Sequence, residues 1–440
     1  MTLHAAAGKK DDLVIRGARV VDPREGIDGE LDVVISNGVI SALEPTGSGE
    51  ATRRDVDASG LLLAPAFVDP HVHLRTPGRE DEETIASGTA AAAAGGYCQI
   101  LAMPNTDPVV DSAAVLGALI EYAEQEAVIP VGFMAAISKG LSGEELTEMG
   151  ALADAGAAAF TDDGKPVVSA GLARRALQYA TLTGKRIALH CEDPTLSHYG
   201  QMHEGVVSAE LGLGPYPSVA ESVEVGRDLA LAAYESSPIH LMHLSARESV
   251  ELLRKARLDG IEASAEVTPH HLCLTDEAVR SLDSNLKMNP PLRSEDDRKA
   301  LIEALREGTI SCVATDHAPH ARQEKDVPFE AAPFGVIGLE TAFAALYSEL
   351  VEPGVIPLEI LLERMSAGPA RVFGLPVPKI AIGEPANIVL IDLAANWRVE
   401  ESRFRSLSQN SWLLGVTLTG EVVMTLADGR VAHRSERVPA

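Results

Sequence analysis

What most limits the folds open to this chain is an alternation that runs from about Pro65 to about Gly374. Short apolar stretches give way repeatedly to Ala-, Leu- and Glu-rich stretches with helical periodicity. Strands separated by helices pair in parallel, with each helix crossing a face of the sheet. Eight strand candidates end near His73, Pro104, Ser138, Asp163, His190, His243, Val267 and Asp316. Between them lie helical patterns such as Ser112–Glu126, Gly171–Thr183, Val219–Glu235, Glu248–Leu258 and Asp296–Glu307, and Ala90–Ala94 fits a tightly packed helix. Eight such units predict an α/β fold, a (β/α)8 TIM-type barrel rather than an open sheet.

The two ends read differently. Leu13–Val21, Leu31–Ile35 and Val39–Leu43 look like short strands, and Asn37-Gly38 between the last two is a hairpin signal. Near the other end, Asn387–Asp392, Val416–Leu418, Glu421–Leu426 and Arg430–Ala432 look alike. Neither set makes a comfortable sheet alone. Residues 1–64 and 377–440 are therefore expected to combine into one small β-sandwich domain, with the barrel at 65–376 inserted between them. The first ten or so residues read as a loose tail.

A formal net charge of −27 argues against nucleic-acid binding, which needs basic patches. No apolar run is long enough for a membrane span, and Met1–Lys10 lacks the pattern of a signal peptide. Four scattered cysteines, Cys98, Cys191, Cys273 and Cys312, suggest a reducing cytoplasm rather than a disulfide framework. Cys191 beside His190 reads as a thiolate ligand or, more simply, a small buried residue.

Catalytic groups of such barrels sit at the C-terminal ends of strands. In Asp69-Pro-His71-Val-His73-Leu-Arg75, His71 and His73 lie two apart and present both imidazoles to one side of a strand end. Arg75 joins them if the extended run continues, and its guanidinium suits a substrate carboxylate. Later strand ends carry Asp162-Asp163, His190, His243 and Asp316. Four histidines and two carboxylates at one barrel mouth suffice for two metal ions, one carboxylate bridging, and zinc accepts both donor types. Alternation says only that Asp162 and Asp163 cannot both face inward. His240, three before His243, turns away; His4, His198, His203 and His433 read as solvated.

The chain resembles the dihydroorotases of the amidohydrolase superfamily, in the bacterial class I branch. The likeness spans nearly the whole chain. It is carried by Asp69–Arg75, Met103-Pro-Asn-Thr106, Phe160-Thr-Asp-Asp-Gly164, His190-Cys-Glu192, Glu266-Val-Thr-Pro-His-His271, Lys287-Met-Asn-Pro-Pro-Leu-Arg293, Ala314-Thr-Asp-His-Ala-Pro-His320 and Ala332-Pro-Phe-Gly335. The resemblance implies two zinc ions per chain. His71, His73 and Asp316 would hold one, His190 and His243 the other, with Asp163 bridging. Many relatives bridge with a carboxylated lysine, but the nearest lysine here, Lys165, lies beyond Gly164. Family register favours Asp163 over Asp162.

The resemblance further implies that Arg75, Asn105 and His320, with His73 nearby, grip a substrate carboxylate, that Asn289 meets the ring, and that Phe334 and Gly335 offer backbone groups to ring amides. His270, His271 and His317 would orient ligands from behind. The implied reaction is the reversible closure of N-carbamoyl-L-aspartate to L-dihydroorotate in pyrimidine biosynthesis, with a zinc-bound hydroxide and Asp316 as acid/base. A cytoplasmic homodimer, and docking to aspartate transcarbamoylase, are further expectations of the family. Two other readings stand beside this one. A hydantoinase, dihydropyrimidinase or allantoinase would share the metal set but not Arg75, Asn105 and His320. A noncatalytic scaffold of aspartate transcarbamoylase would have lost the ligands that this chain keeps.

Overall fold

A computed structural model describes residues 3–47, 54–198 and 200–437. The first strands are β1 (Leu13–Asp22), β2 (Ile27–Ser36), β3 (Val39–Pro45), β4 (Arg54–Asp57) and β5 (Leu62–Pro65). Asn37 and Gly38 take φ of 49° and 75°, the left-handed pair that a two-residue hairpin turn between twisted strands requires.

The barrel strands follow: β6 (Phe67–Val72), β7 (Tyr97–Ala102), β8 (Val131–Phe133) and β9 (Ile187–Leu189). A small parallel pair, β10 (Met202–His203) with β11 (Pro215–Tyr216), precedes β12 (Ile239–Leu241), β13 (Ala263–Val267) and β14 (Cys312–Val313). β6, β7 and β8 pair in parallel, as do β9, β12, β13 and β14. Phe160 joins the two sets by bridging Ala135 and Ile187, and Val72 closes the ring on His317. The fourth staves position is thus one bridging residue rather than the strand expected to run to Asp163. Beyond it the Asp162 carboxylate replaces the ladder, accepting Ile137 N–H at 2.8 Å and Ser138 N–H at 3.0 Å.

The helices match the sequence patterns to within a residue: Ala113–Glu126, Ala170–Thr183, Val219–Glu235, Arg247–Leu258 and Glu295–Glu307. Ser112, Ser169 and Ser294 cap their N-termini by accepting amide protons. Ile85–Ala94 carries the alanine run against the barrel, where a Cβ on Gly95 would come within 2.0 Å of Leu339 O.

β15 (Ile388–Arg398), β16 (Thr417–Ala427) and β17 (Arg430–Arg434) complete the chain. β16 spans what the sequence divides into two strands, because register shifts in its pairing with β15 absorb the irregularity around Gly420. β5 pairs with β1 on one side and β15 on the other, so both chain ends share one eight-stranded sheet. The sheet curls until the turns at Gly38 and Gly429 meet. It encloses its own core, including Ile15, Ile35, Ile40, Val56, Leu63, Ile388 and Met424.

Of the tail expected over the first ten residues, 1 and 2 lie outside the described residues, and the rest is not loose where it meets β8. His4 exchanges backbone hydrogen bonds with Val131 at 2.9 and 2.8 Å, and Leu3 packs beside Gly132. His4, His203 and His433 are half-buried rather than solvated, and only His198 is exposed. His203 lies 3.3 Å from the Arg293 guanidinium. The four cysteines are unpaired, and the Cys191 thiol points to Leu189 O and Asp228, away from the barrel mouth. Among the described residues no helix is long and apolar enough to cross a membrane.

Candidate active site

Strand alternation delivers His71 and His73 to one side, as expected, but the extended run stops before Arg75. Arg75, His243 and Asp316 all take positive φ, 56°, 32° and 49°. For residues with a Cβ this costs about 1–3 kcal/mol each and persists only where the surroundings enforce it. Here they do. Asp69, fully buried, accepts Thr315 Oγ–H at 2.6 Å, Thr315 N–H at 3.2 Å and His71 N–H at 3.1 Å. It staples β6 to the chain leading into Asp316, and His73 N–H donates to His317 O at 2.9 Å.

The donors converge. His71 Nε2 lies 3.5 Å from Asp163 Oδ1 and 3.4 Å from Asp316 Oδ1. His73 Nε2 lies 3.4 Å from Asp163 Oδ2 and 3.0 Å from Asp316 Oδ1. His243 Nε2 and His190 Nδ1 approach Asp163 Oδ1 at 3.7 and 4.0 Å. Asp163 belongs to both groupings, His71–His73–Asp163 and Asp163–His190–His243. Asp162 stays outside, on Ile137 and Ser138.

Three rings are fixed from behind. His71 Nδ1 meets Glu266 Oε1 at 2.7 Å, His73 Nδ1 meets Asn105 Oδ1 at 2.9 Å, and His190 Nε2 meets Glu192 Oε2 at 3.1 Å. Each partner oxygen can only accept, so each of these nitrogens donates to it and the other nitrogen is turned to the centre, where His73 Nε2 lies 3.0 Å from Asp316 Oδ1 and His190 Nδ1 3.0 Å from His243 Nε2. His71 Nε2 is buried with no hydrogen-bond partner. A buried bare imidazole nitrogen among carboxylates is a ligand atom waiting for a cation.

The electrostatics agree. Burial works against charge throughout, yet His71, His243 and His73 hold the Asp163 carboxyl well below its usual range. Burial likewise opposes charge on Glu266, but His71 and His240 bring it down to about 2. Burial would lower His71, but Asp163, Asp316 and Glu266 push it well up. The pocket favours positive charge at its centre, and the donor set fits a metal.

A cavity of about 230 Å³ opens over this centre. His73, Arg75, Asn105, Asp163, His190, His243, Asn289, Asp316, His320, Phe334 and Gly335 all line it. His71 does not, being completely buried. Some of these groups already have partners. Arg75 donates from Nε to Pro319 O at 3.0 Å and pairs with Glu82 at 3.1 Å. His320 Nε2 donates to Phe334 O at 2.7 Å. Gly335 N–H is taken by Lys287 O at 2.9 Å, so this amide is not the free donor expected. Asn289 donates to Glu192 Oε2 at 3.0 Å, and its own Oδ1 is buried without a partner.

Several residues that shape the site carry no role in the sequence reading. Glu266 holds both His71 and His240, which is fully buried. Its signal was a lone carboxylate inside the apolar strand Ala263–Val267. Asp69 has the same signal. Asn410 has none. Its side chain accepts from His320 N–H at 3.1 Å and donates to Ala318 O and Gly335 O at 3.0 and 3.2 Å. Two of the histidines expected to orient ligands have other partners. His271 braces Thr268 and Pro290, and His317 braces Glu83 and Gly338.

A closed barrel whose strand ends gather imidazoles and carboxylates over one small cavity is the build of the amidohydrolase superfamily. The family model described as dihydro-orotase-like matches residues 60–249. The chain is 44% identical over 425 residues to the dihydroorotase of Geotalea daltonii, across 97% of this chain and 100% of that one. It is 47% identical over 420 residues to the dihydroorotase of Pelotomaculum thermopropionicum, across 95% and 98%. Among solved structures, L-hydantoinase (dihydropyrimidinase) from Arthrobacter aurescens superposes with a TM-score of 0.86 at 25% identity, over 98% of this chain and 97% of that one. The chain belongs to the dihydroorotase family.

Proposed function

We propose that this protein interconverts N-carbamoyl-L-aspartate and L-dihydroorotate, a step of pyrimidine biosynthesis. One observation carries the reading: a single cavity joins the imidazole–carboxylate centre to Arg75, Asn105 and His320. Two zinc ions fit the donors, with His71, His73 and Asp316 holding one, His190 and His243 the other, and Asp163 shared. Bound there, the metal supplies Lewis-acid polarisation of a carbonyl and a water acidic enough to react near neutrality.

The chain's own groups do the rest. In the hydrolytic direction a water oxygen adds to the ring carbonyl carbon, the carbon–nitrogen bond breaks, and the ring nitrogen gains a proton. Asp316 moves that proton. Its Oδ1 faces His71 and His73, which leaves Oδ2 to take the proton from water and return it to nitrogen. Ring closure runs the same steps backwards. The terminal nitrogens of Arg75 and the N–H of Asn105 that Asp163 does not take hold the substrate carboxylate and fix its orientation, with the His320 ring beside them. Asn289 and the loop at Phe334 and Gly335 face the ring; the Phe334 carbonyl keeps a second lone pair for a ring N–H.

The hydantoinase likeness is a likeness of scaffold at 25% identity. The basic groups facing the centre favour an acidic ring over a neutral one. A side-by-side assay of L-dihydroorotate and hydantoin tests this. Turnover of dihydroorotate with little or none of hydantoin is expected, and the reverse preference overturns the reading.

A further inference from the structure

We propose that Glu82 aims the carboxylate clamp, holding Arg75 and His320 in the one arrangement that admits an acidic substrate. Glu82 lies behind the cavity and does not line it, whereas both of its partners do. Its side chain is 1% exposed. Oε2 sits 3.1 Å from Arg75 Nε, and Oε1 sits 3.3 Å from His320 Nδ1. Arg79 closes the group by reaching both Glu82 and Glu324. One buried carboxylate therefore lies against both the Arg75 guanidinium and the His320 imidazole.

The geometry makes this more than a filled hole. Arg75 stands at a left-handed φ of 56°, so its backbone alone does not choose where its side chain goes. The one Nε–H of Arg75 goes to Pro319 O, and Glu82 Oε2, which has no hydrogen-bond partner, stands 3.1 Å from the same nitrogen as a matching charge; the two together fix the plane in which the terminal nitrogens lie. His320 is held from two sides, by Phe334 O at Nε2 and, at Nδ1, by Glu324 at 3.4 Å with Glu82 3.3 Å away. The brace is itself anchored. Ser408 Oγ donates to Glu82 O at 2.8 Å, and Glu82 N–H donates to Arg79 O at 2.9 Å. A buried carboxylate persists only when its charge is matched; here Arg79 donates to it directly, and Arg75 and His320, the groups read as meeting substrate, stand 3.1 and 3.3 Å from its oxygens. Glu82 acts through them and touches no reacting atom, which makes it a positioning residue.

This inference rests on the reading of Arg75 and His320 as substrate contacts, and the test separates the two. Glu82→Gln keeps the shape and removes the charge. Its KM for L-dihydroorotate should rise about tenfold, with kcat within about twofold because the loss is of binding alone. Inhibition by dihydrouracil, the same ring without the carboxylate, should not change. Glu82→Asp keeps the charge but shortens its reach, and its KM should fall between the two. KM does not depend on how much of a preparation is folded, so a less stable variant still reports. Arg75→Met is measured in parallel. If it raises KM and Glu82→Gln does not, the role of Glu82 is overturned and the clamp stands. If Glu82→Gln weakens dihydrouracil as much as dihydroorotate, Glu82 merely supports the pocket and the proposal fails. If Arg75→Met leaves KM unchanged, the clamp reading fails and Glu82 falls with it.

Discussion

The two sides of the cavity are built from different material. On the side read as metal-holding, His71, His73, His190, His243 and Asp316 sit at or just past barrel strand ends. Glu266, Asn105 and Glu192 fix three of the rings from behind. On the side read as substrate-gripping, Arg75, His320, Phe334 and Gly335 sit on loops. Those loops are fastened by side chains from far along the chain. Asn410 ties the 318–320 and 335 segments together, and Ser408 holds the loop bearing Glu82. Ser406 and Leu407 donate to Glu83 in the same loop. The barrel thus places the imidazoles and carboxylates, and residues 406–410 from beyond the barrel fasten the loops proposed to grip substrate. Substitutions on the first side should act on turnover or metal content, and those on the second on KM.

The largest expected effect tests the first side. Asp316→Asn removes the proton carrier while five candidate ligands remain. It should cut kcat in both directions by about 10²–10⁴-fold and leave metal largely bound. Near-normal turnover in that variant would break the division at its centre. Next comes the second side. Arg75→Met deletes a charge-assisted contact to the substrate carboxylate and should raise KM roughly 10- to 100-fold, with a smaller change in kcat. A fall in kcat with KM unchanged would mean that Arg75 serves the chemistry instead.

Glu266→Gln probes whether the rings are held by what lies behind them. It weakens the hold on His71 Nδ1 without touching the cavity, and metal affinity should drop about 10- to 100-fold by competition with a chelator. Unchanged affinity would show the ring to be fixed by packing alone. The smallest effect is Asn410→Ala. It leaves His320 N–H, Ala318 O and Gly335 O short of a partner and should cost about 1–3 kcal/mol of stability. KM should rise a few-fold while metal content stays as it was. Loss of metal instead would join two regions that the structure keeps apart.

The same division explains what the sequence made legible. Period-two alternation exposes His71 and His73, and the repeated closing of apolar runs on His190, His243 and Asp316 exposes the rest, because barrels put function at strand ends. Helix limits were readable from the Ala-, Leu- and Glu-rich periodicity, and Ser112, Ser169 and Ser294 cap the helices within two residues of where it begins. The fourth strand was not, because the side chain of Asp162 takes over the work of the ladder. The left-handed turn at Arg75 was not, because nothing local demands it; its side chain is fastened to Pro319 and Glu82, the first of them more than 240 residues away. Asn410 lies 90 residues from the His320 amide it accepts, and no local pattern links the two. The tail at Leu3 and His4 docks because Gly132 leaves room for it, a fact about β8 and not about the tail.

The central claim is that four imidazoles and two carboxylates form a metal centre on which turnover depends. It is tested most directly by stripping the protein with a chelator and returning zinc in measured steps, following bound metal and dihydroorotate turnover together. Turnover should vanish on stripping and return in proportion to metal, reaching its full value at two equivalents per chain. Activity that survives complete removal, or full activity restored with His71 and His190 both replaced by alanine, would contradict the account.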